Sequence, residues 1–407
     1  MSANPELPIH DLLVLPYLNH AVRMYEQSYA TRADIDAAMR FGCGYPEGPL
    51  TALDRLGTDV VRDALAARYA ETGDHLHQPA DLLERLVAEG RIGASSGRGF
   101  YTWAEGAVAD DDETPSADDA PQLKHDINLV GVVGTGTMAS GIVEVFAKAG
   151  YDVVYVGRTA DKVDGVRTSI ERSLDRAVAK GKLDEAGKAD VLGRLTGATE
   201  REALGQVDIV VEAIAEDLAV KTQLFVDLDR ICKPGAILAT TTSSLPITEC
   251  AKATSRPESV IGMHFFNPAP IMKLVEVVTT DLTAGDVDET TRALCAKVGK
   301  VAVSCGDRSG FIVNALLFPY LNDAVKLAES GVASLDEIDA QIKEQATFPM
   351  GPFQLLDVVG NDVSLAIQKE LFNEFGEPGF APAATLEQKV ADGHLGRKTK
   401  KGFHDYS

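Results

Sequence analysis

The residues best suited to chemistry fall into three groups. The first lies in MHFFNPAPIMKLVEVV, residues 263–278. This stretch reads as two short apolar strands broken by NPAP, yet it carries an imidazole, His264, and a carboxylate, Glu276. An imidazole oriented by a carboxylate can move a proton near neutral pH. A buried histidine satisfied by a strand-end glutamate would look the same in sequence. Ser243 in TTTSSLPITE and Asn314 in SGFIVNALLFPYLN add neutral hydrogen-bonding groups. The four together form a base, its orienter and two groups that can hold oxygen atoms. Serines before a helix also serve as ordinary caps, so Ser243 has a plainer reading too.

The second group is GTGTMA. Gly134, Gly136, Thr137, Met138 and Ala139 directly follow an apolar strand, 127–134, and open a helix, 137–150. In that setting the first glycine permits a tight turn and the second lets a backbone approach a pyrophosphate. The third position needs a small residue for helix–strand packing. A nicotinamide or flavin dinucleotide is the implied ligand. The next strand, 152–157, should end in an acid for the ribose 2′-hydroxyl. It ends instead in Gly157, followed by Arg158 and Thr159. An arginine there suits a 2′-phosphate, which favours NADP(H) over NAD(H). The third group is Arg172, Arg176 and Lys180 on a helix at 166–182, spaced four apart and so on one face. They are either a solvated face paired with Glu171 and Asp175, or a landing surface for the phosphates of a coenzyme-A ester.

These groups need a scaffold. Strand-like runs at 127–134, 152–157, 207–214 and 235–241 alternate with helical segments, which predicts a doubly wound parallel sheet of the Rossmann type at 127–307. Such sheets bind ligands at the carboxyl ends of their strands, where Ser243 and His264 fall. Around this centre the chain repeats itself. LPYLNHAV at Leu15 matches FPYLNDAV at Phe318, and DIDAAM at Asp34 matches EIDAQI at Glu337. Gly48-Pro49 matches Gly351-Pro352, and Gly99-Phe100 matches Gly402-Phe403, always with an offset of 303. A repeat of that length means a duplicated domain, and its apolar spacing is helical. Two homologous all-α domains, 1–104 and 308–407, are therefore expected to flank the centre, with an acidic linker at 105–126. Asp11 occupies the position of Asn314 in the first copy, so that copy is not expected to be a second active site.

The chain has 407 residues, enough for several cores, and a formal charge of −22, which disfavours nucleic acid as a partner. Its five cysteines show no CxxC spacing, so neither a disulfide framework nor a metal site is expected. With no signal-like start and no membrane-length apolar run, a cytoplasmic location is expected.

The motifs VGVVGTGTMASGI, VEAIAEDLAVKTQLF, TTSSLPITE, MHFFNPAPIMKLVEVV, GFIVNALLFPYLNDAV and MGPFQLLDVVGND resemble the 3-hydroxyacyl-CoA dehydrogenase family, particularly bacterial 3-hydroxybutyryl-CoA dehydrogenases. The resemblance spans about 127–407. It implies a catalytic His264 paired with Glu276, substrate contacts from Ser243 and Asn314, and nicotinamide-side contacts from Glu216 and Lys221. Ser173 and Lys180 fall where the family touches coenzyme A; Arg176 of the same strip and Asn267 of the NPAP break are placed with them. The implied reaction interconverts a (3S)-3-hydroxyacyl-CoA and the 3-oxoacyl-CoA, with short acyl chains expected. A dehydrogenase of a free hydroxy acid and a redox-inert cofactor-binding protein are the other readings. The chain departs from the family at Thr241, Ala139 and Gly157, where the family often has Asn, Gly and an acid. Family members typically pair through the helical domain. The extra copy is therefore expected to pack on the C-terminal copy as a pseudo-dimer within one chain.

Overall fold

The computed structural model describes residues 8–109 and 120–407, which divide into two compact units, 8–109 with 312–407, and 120–311.

The helical unit holds both copies of the repeat. The first contributes helices Ile9–Glu26, Arg32–Cys43, Pro49–Leu56, Thr58–Thr72 and Asp81–Ala88. The second contributes Val313–Glu329, Leu335–Gln345, Pro352–Val359, Asn361–Phe375 and Ala384–Ala391. The sequence identities between copies mark one device used repeatedly. Buried Asp36 accepts hydrogen bonds from the backbone N–H groups of Leu50 and Thr51, at 2.8 and 3.0 Å. Asp339 does the same for Phe353, at 2.9 Å. A Cβ on Gly48 would lie 2.1 Å from Asp36, and one on Gly351 would lie 2.2 Å from Asp339. Asp54 and Asp357 likewise hold the N–H groups of Phe100 and Phe403, each at 2.8 Å, against Gly99 and Gly402. Glycine is required where a carboxylate docks on the backbone. Each aspartate satisfies helix-start or turn donors that would otherwise be buried unpaired.

The two long helices Ile9–Glu26 and Val313–Glu329 pack together. At their crossing Tyr17 and Tyr320 have ring centroids 6.0 Å apart, and Tyr45 stacks on Phe348 at 3.6 Å. Counterparts in the two copies thus meet each other, as identical residues do across a two-fold axis.

Strands β1 (Thr102–Ala104) and β2 (Ala107–Ala109) form an antiparallel hairpin at the end of the first copy. This corrects the expected linker at 105–126. Residues 107–109 are a strand, and on the far side Lys124 and His125 donate backbone N–H bonds to Thr290. Only 110–119, the acidic centre of that stretch, lies outside the described residues.

In the second unit, β3 (Leu129–Val133), β4 (Asp152–Val156), β5 (Leu195–Ala198), β6 (Ile209–Glu212), β7 (Ile237–Thr240), β8 (Val260–Phe265), β9 (Leu274–Thr279) and β10 (Val301–Gly306) form one sheet, ordered β10-β9-β8-β7-β6-β3-β4-β5. Helices Thr137–Lys148, Ala160–Ala179 and Leu218–Ile231 make the crossovers. The sheet is parallel except between β8 and β9, which are antiparallel. The expected parallel, doubly wound sheet is present across β4, β3, β6 and β7; β9 returns antiparallel to β8 because only the eight residues between Phe265 and Leu274 connect them, too few for a crossover. All six residues of β8 are buried, and the core runs beneath it through Val130, Val132, Ile209, Ile237 and Ile261. Among the described residues no helix is long and apolar enough to cross a membrane.

Candidate active site

The antiparallel return of β9 on β8 places His264 directly opposite Glu276. Directly opposed residues of an antiparallel pair project on the same face with Cβ atoms close together. His264 Nδ1 lies 2.6 Å from Glu276 Oε2, and Glu276 is fully buried. The ring packs between Phe266, at 4.7 Å between centroids, and Phe311, at 5.5 Å. With Nδ1 committed to the carboxylate, Nε2 carries no hydrogen bond among the described residues. An imidazole held in this way, between a carboxylate and two aromatic rings, has the geometry a proton acceptor needs. The NPAP loop that joins the strands is pinned from behind. Buried Lys300 donates through Nζ to the carbonyls of Ala269 and Met272, at 2.5 and 2.6 Å, and Asn267 is exposed.

Ser243 stands in the loop after β7, three strands into the sheet from its β10 edge. Its backbone N–H donates to Glu216 Oε1 at 2.9 Å, beside the Thr242 hydroxyl at 2.6 Å. Asp307 fixes the helix that follows, accepting from the N–H groups of Ile247 and Thr248 at 3.1 and 2.7 Å. Asn314 belongs to the helical unit, where it is buried as the second residue of Val313–Glu329.

The positions of Glu216 and Lys221 separate their roles. Lys221 is fully buried, and its Nζ meets both oxygens of Glu212, at 2.8 and 2.9 Å, and Glu216 Oε2, at 3.1 Å. An ammonium has three donors, so none remains for a cofactor. Lys221, expected beside the nicotinamide, is placed behind Glu216 in this structure. Burial alone would raise the Glu216 carboxyl. The Lys221 charge and the hydrogen bonds from Thr242 and Ser243 outweigh it and hold the group below the ordinary carboxylate range. Sequence reasoning missed Glu212 and Thr240, whose hydroxyl donates to Glu212 at 2.5 Å. A carboxylate closing the apolar run VDIVVE was the available signal.

The glycine turn lines a cavity of about 650 Å³ together with Thr137, Met138, Gly157, Arg158 and Arg201. Gly134 has φ 136°, and a Cβ there would sit 2.3 Å from the Ala213 carbonyl oxygen. Gly136 faces open space at the start of helix Thr137–Lys148, and Ala139 is fully buried against the turn. A cradle that excludes side chains, opening onto a helix start, fits a dinucleotide pyrophosphate. Thr159 caps the next helix, its side chain accepting from Lys162 N–H at 3.4 Å, which gives it a local role. Arg201 was missed; it follows β5 and pairs with Asp227. Only the folded chain brings residues 43 apart in sequence to one rim.

On helix Ala160–Ala179 and its cap, the side chains of Arg172, Arg176 and Lys180 are exposed and make no ion pair or hydrogen bond among the described residues. Asp175, a partner for the strip on one of the two readings, pairs with Lys188 at 2.5 Å. Ser173 turns inward and donates to buried Glu144 at 3.0 Å, so its hydroxyl proton is already placed.

Comparison with known proteins agrees with this architecture. Residues 129–308 match the model of the 3-hydroxyacyl-CoA dehydrogenase NAD binding domain, and the family's C-terminal domain matches twice, at 9–103 and 310–406. A 3-hydroxybutyryl-CoA dehydrogenase of Clostridioides difficile is 45% identical over 278 residues, covering 68% of this chain and 99% of that one. A mitochondrial hydroxyacyl-coenzyme A dehydrogenase of Mus musculus is 43% identical over 70% of this chain and 91% of its own. Among solved structures, FadB2 of M. tuberculosis has a TM-score of 0.67 at 42% identity, covering 69% of this chain and 99% of that one. The (S)-3-hydroxybutyryl-CoA dehydrogenase PaaH1 of Ralstonia eutropha has a TM-score of 0.68 at 39% identity, over 69% and 100%. The chain belongs to the 3-hydroxyacyl-CoA dehydrogenase family, a nicotinamide-dinucleotide oxidoreductase that carries the family's C-terminal domain twice.

Proposed function

We propose that the protein interconverts a short-chain (3S)-3-hydroxyacyl-CoA and its 3-oxoacyl-CoA, of the 3-hydroxybutyryl type, and prefers NADP(H). The observation that carries the reaction is the His264–Glu276 pair, at 2.6 Å with Nε2 uncommitted. In the oxidative direction Nε2 takes the proton of the 3-hydroxyl. Glu276 keeps the ring oriented and stabilises the imidazolium that forms. When bound, the nicotinamide supplies the hydride acceptor in this direction and the donor in the other. Ser243 and Asn314 are assigned to the substrate oxygens on the family resemblance. The short chain follows the named activity of relatives near 43% identity.

The basic strip of Arg172, Arg176 and Lys180 supports a coenzyme-A ester, since unpaired cations on a chain of charge −22 suit an anionic carrier. Two observations support the phosphorylated coenzyme. Arg158 lies exposed on the cavity rim without an ion pair or hydrogen bond among the described residues. A Cβ at Gly157 would meet Thr135 Cγ2 at 2.5 Å and Val163 Cγ2 at 3.0 Å, leaving no room for a ribose-binding acid without rearrangement. The test is acetoacetyl-CoA reduction with NADPH and NADH in parallel. Turnover is expected with both, with kcat/KM higher for NADPH. His264→Ala should lose roughly 10²–10⁴ in turnover while still binding NADPH by fluorescence titration. Wild-type turnover in that variant overturns the mechanism, and a preference for NADH overturns the coenzyme assignment.

A further inference from the structure

One buried charge stands outside the catalytic chemistry. Lys300 directly precedes β10 and is buried. Among the described residues no carboxylate forms an ion pair with it, and burial holds its ammonium below the ordinary lysine range. A buried ammonium without an acid is costly, and a methionine would fill the same space without that cost. Its partners are two carbonyl oxygens, those of Ala269 and Met272, at 2.5 and 2.6 Å. Both belong to the loop 266–273 that joins β8 to β9, the strands that carry His264 and Glu276. The loop's own turn uses a different carbonyl. Pro268 accepts from the N–H groups of Ile271 and Met272, at 2.9 and 3.0 Å. Lys300 therefore takes carbonyls that the turn leaves over.

The same loop meets the helix Thr137–Lys148. Ala269 is buried, and a Cβ on Gly141 would lie 3.1 Å from Ala269 Cβ and 3.1 Å from Pro270 Cδ. Thr137 and Met138, one turn earlier, line the dinucleotide cavity. Phe266, the loop's first residue, packs on the His264 ring at 4.7 Å between centroids. One short loop thus touches both the helix that opens at the coenzyme cradle and the imidazole assigned as the base.

We propose that Lys300 is a positioning residue for hydride transfer. It fixes the loop between the dinucleotide helix and His264, and through the loop it sets where the base stands relative to the coenzyme. It acts only through the two backbone carbonyls. The proposal rests on the reading of His264 as the base. A misplacement of about 1 Å at a reacting centre costs on the order of 10² in rate.

The experiment is a single turnover followed by nicotinamide absorbance, in which the full chain loaded with NADPH is mixed with saturating acetoacetyl-CoA. The rate constant reports the geometry at hydride transfer. The amplitude reports the fraction of folded, competent sites, which is all that a merely structural role would move. Lys300→Met keeps the bulk and removes the donors. Its rate constant should fall roughly 10- to 100-fold at near-full amplitude, with the NADPH Kd within about twofold of wild type. Gly141→Ala presses on the same loop from the helix. It should slow the step in the same way, and it supplies the test if Lys300→Met does not fold. A loss confined to amplitude, or a wild-type rate constant in either folded variant, overturns the proposal. His264→Ala measured alongside separates the two claims. If that variant keeps wild-type turnover, the base assignment falls and this inference with it. If it loses turnover while Lys300→Met does not, only the positioning role of Lys300 falls.

Discussion

Lys221 spends all three of its donors inside the protein, on Glu212 and Glu216. Two carboxylates around one ammonium leave a net negative charge, stabilised only while the cation is present. Removing the cation alone strands Glu212, which is fully buried. Lys221→Met is therefore expected to cost about 3–5 kcal/mol in urea unfolding, and the double variant with Glu212→Gln should recover much of it. Asp36 makes a prediction of another kind. Burial pushes its carboxyl up to about 6, against hydrogen bonds from Thr51, Leu50 and Tyr101 that pull it down. A raised carboxyl binds its proton more tightly in the folded state. Its contribution is full below the unfolded value near 4 and is lost as pH rises toward 6. Unfolding free energy should fall across that window by up to about 3 kcal/mol from this group, and Asp36→Asn should flatten that part of the slope.

At the scale of elements, much of the architecture was legible. The glycine turn, the alternation of strands and helices and the offset of 303 are local or periodic signals that survive without coordinates. His264 and Glu276 were legible as partners because two apolar strands joined by a short break must lie side by side. Their directly opposed register was not, because it depends on how the antiparallel pairing of β8 with β9 aligns the two strands. Glu212, Thr240 and Arg201 were hidden for a different reason: each gains its meaning from a residue on another element. The repeat's glycines stood out in the sequence only as matched positions, and the structure gives their cause in the docked aspartates. Gly351→Ala should consequently lower stability by about 2 kcal/mol or more, since the new Cβ would lie 2.2 Å from Asp339. Gly285→Ala, at a position with nothing within 4 Å, should stay within about 0.5 kcal/mol. Thermal unfolding of the two variants side by side makes the comparison.

At the scale of the whole molecule, the duplicated domain supplies its own packing partner. Helix Ile9–Glu26 buries Leu13, Leu15, Tyr17 and Leu18, and it packs on helix Val313–Glu329, which buries Leu316, Leu317, Tyr320 and Leu321. Deleting residues 1–104 would uncover the apolar side of the second helix. The truncated chain is expected to dimerise or aggregate in size-exclusion chromatography, and a monodisperse monomer would contradict that account.

The meeting of Tyr45 with Phe348 and of Tyr17 with Tyr320 has one more consequence. Across a true two-fold axis a single gene position furnishes both faces, so any substitution strikes twice and must suit itself. Here each face has its own codon. Gly44 and Thr347, left-handed at φ 71° and 54°, have already diverged. Evolution can therefore respecialise one half of the contact while the other stays as it is, and dilution cannot pull the halves apart.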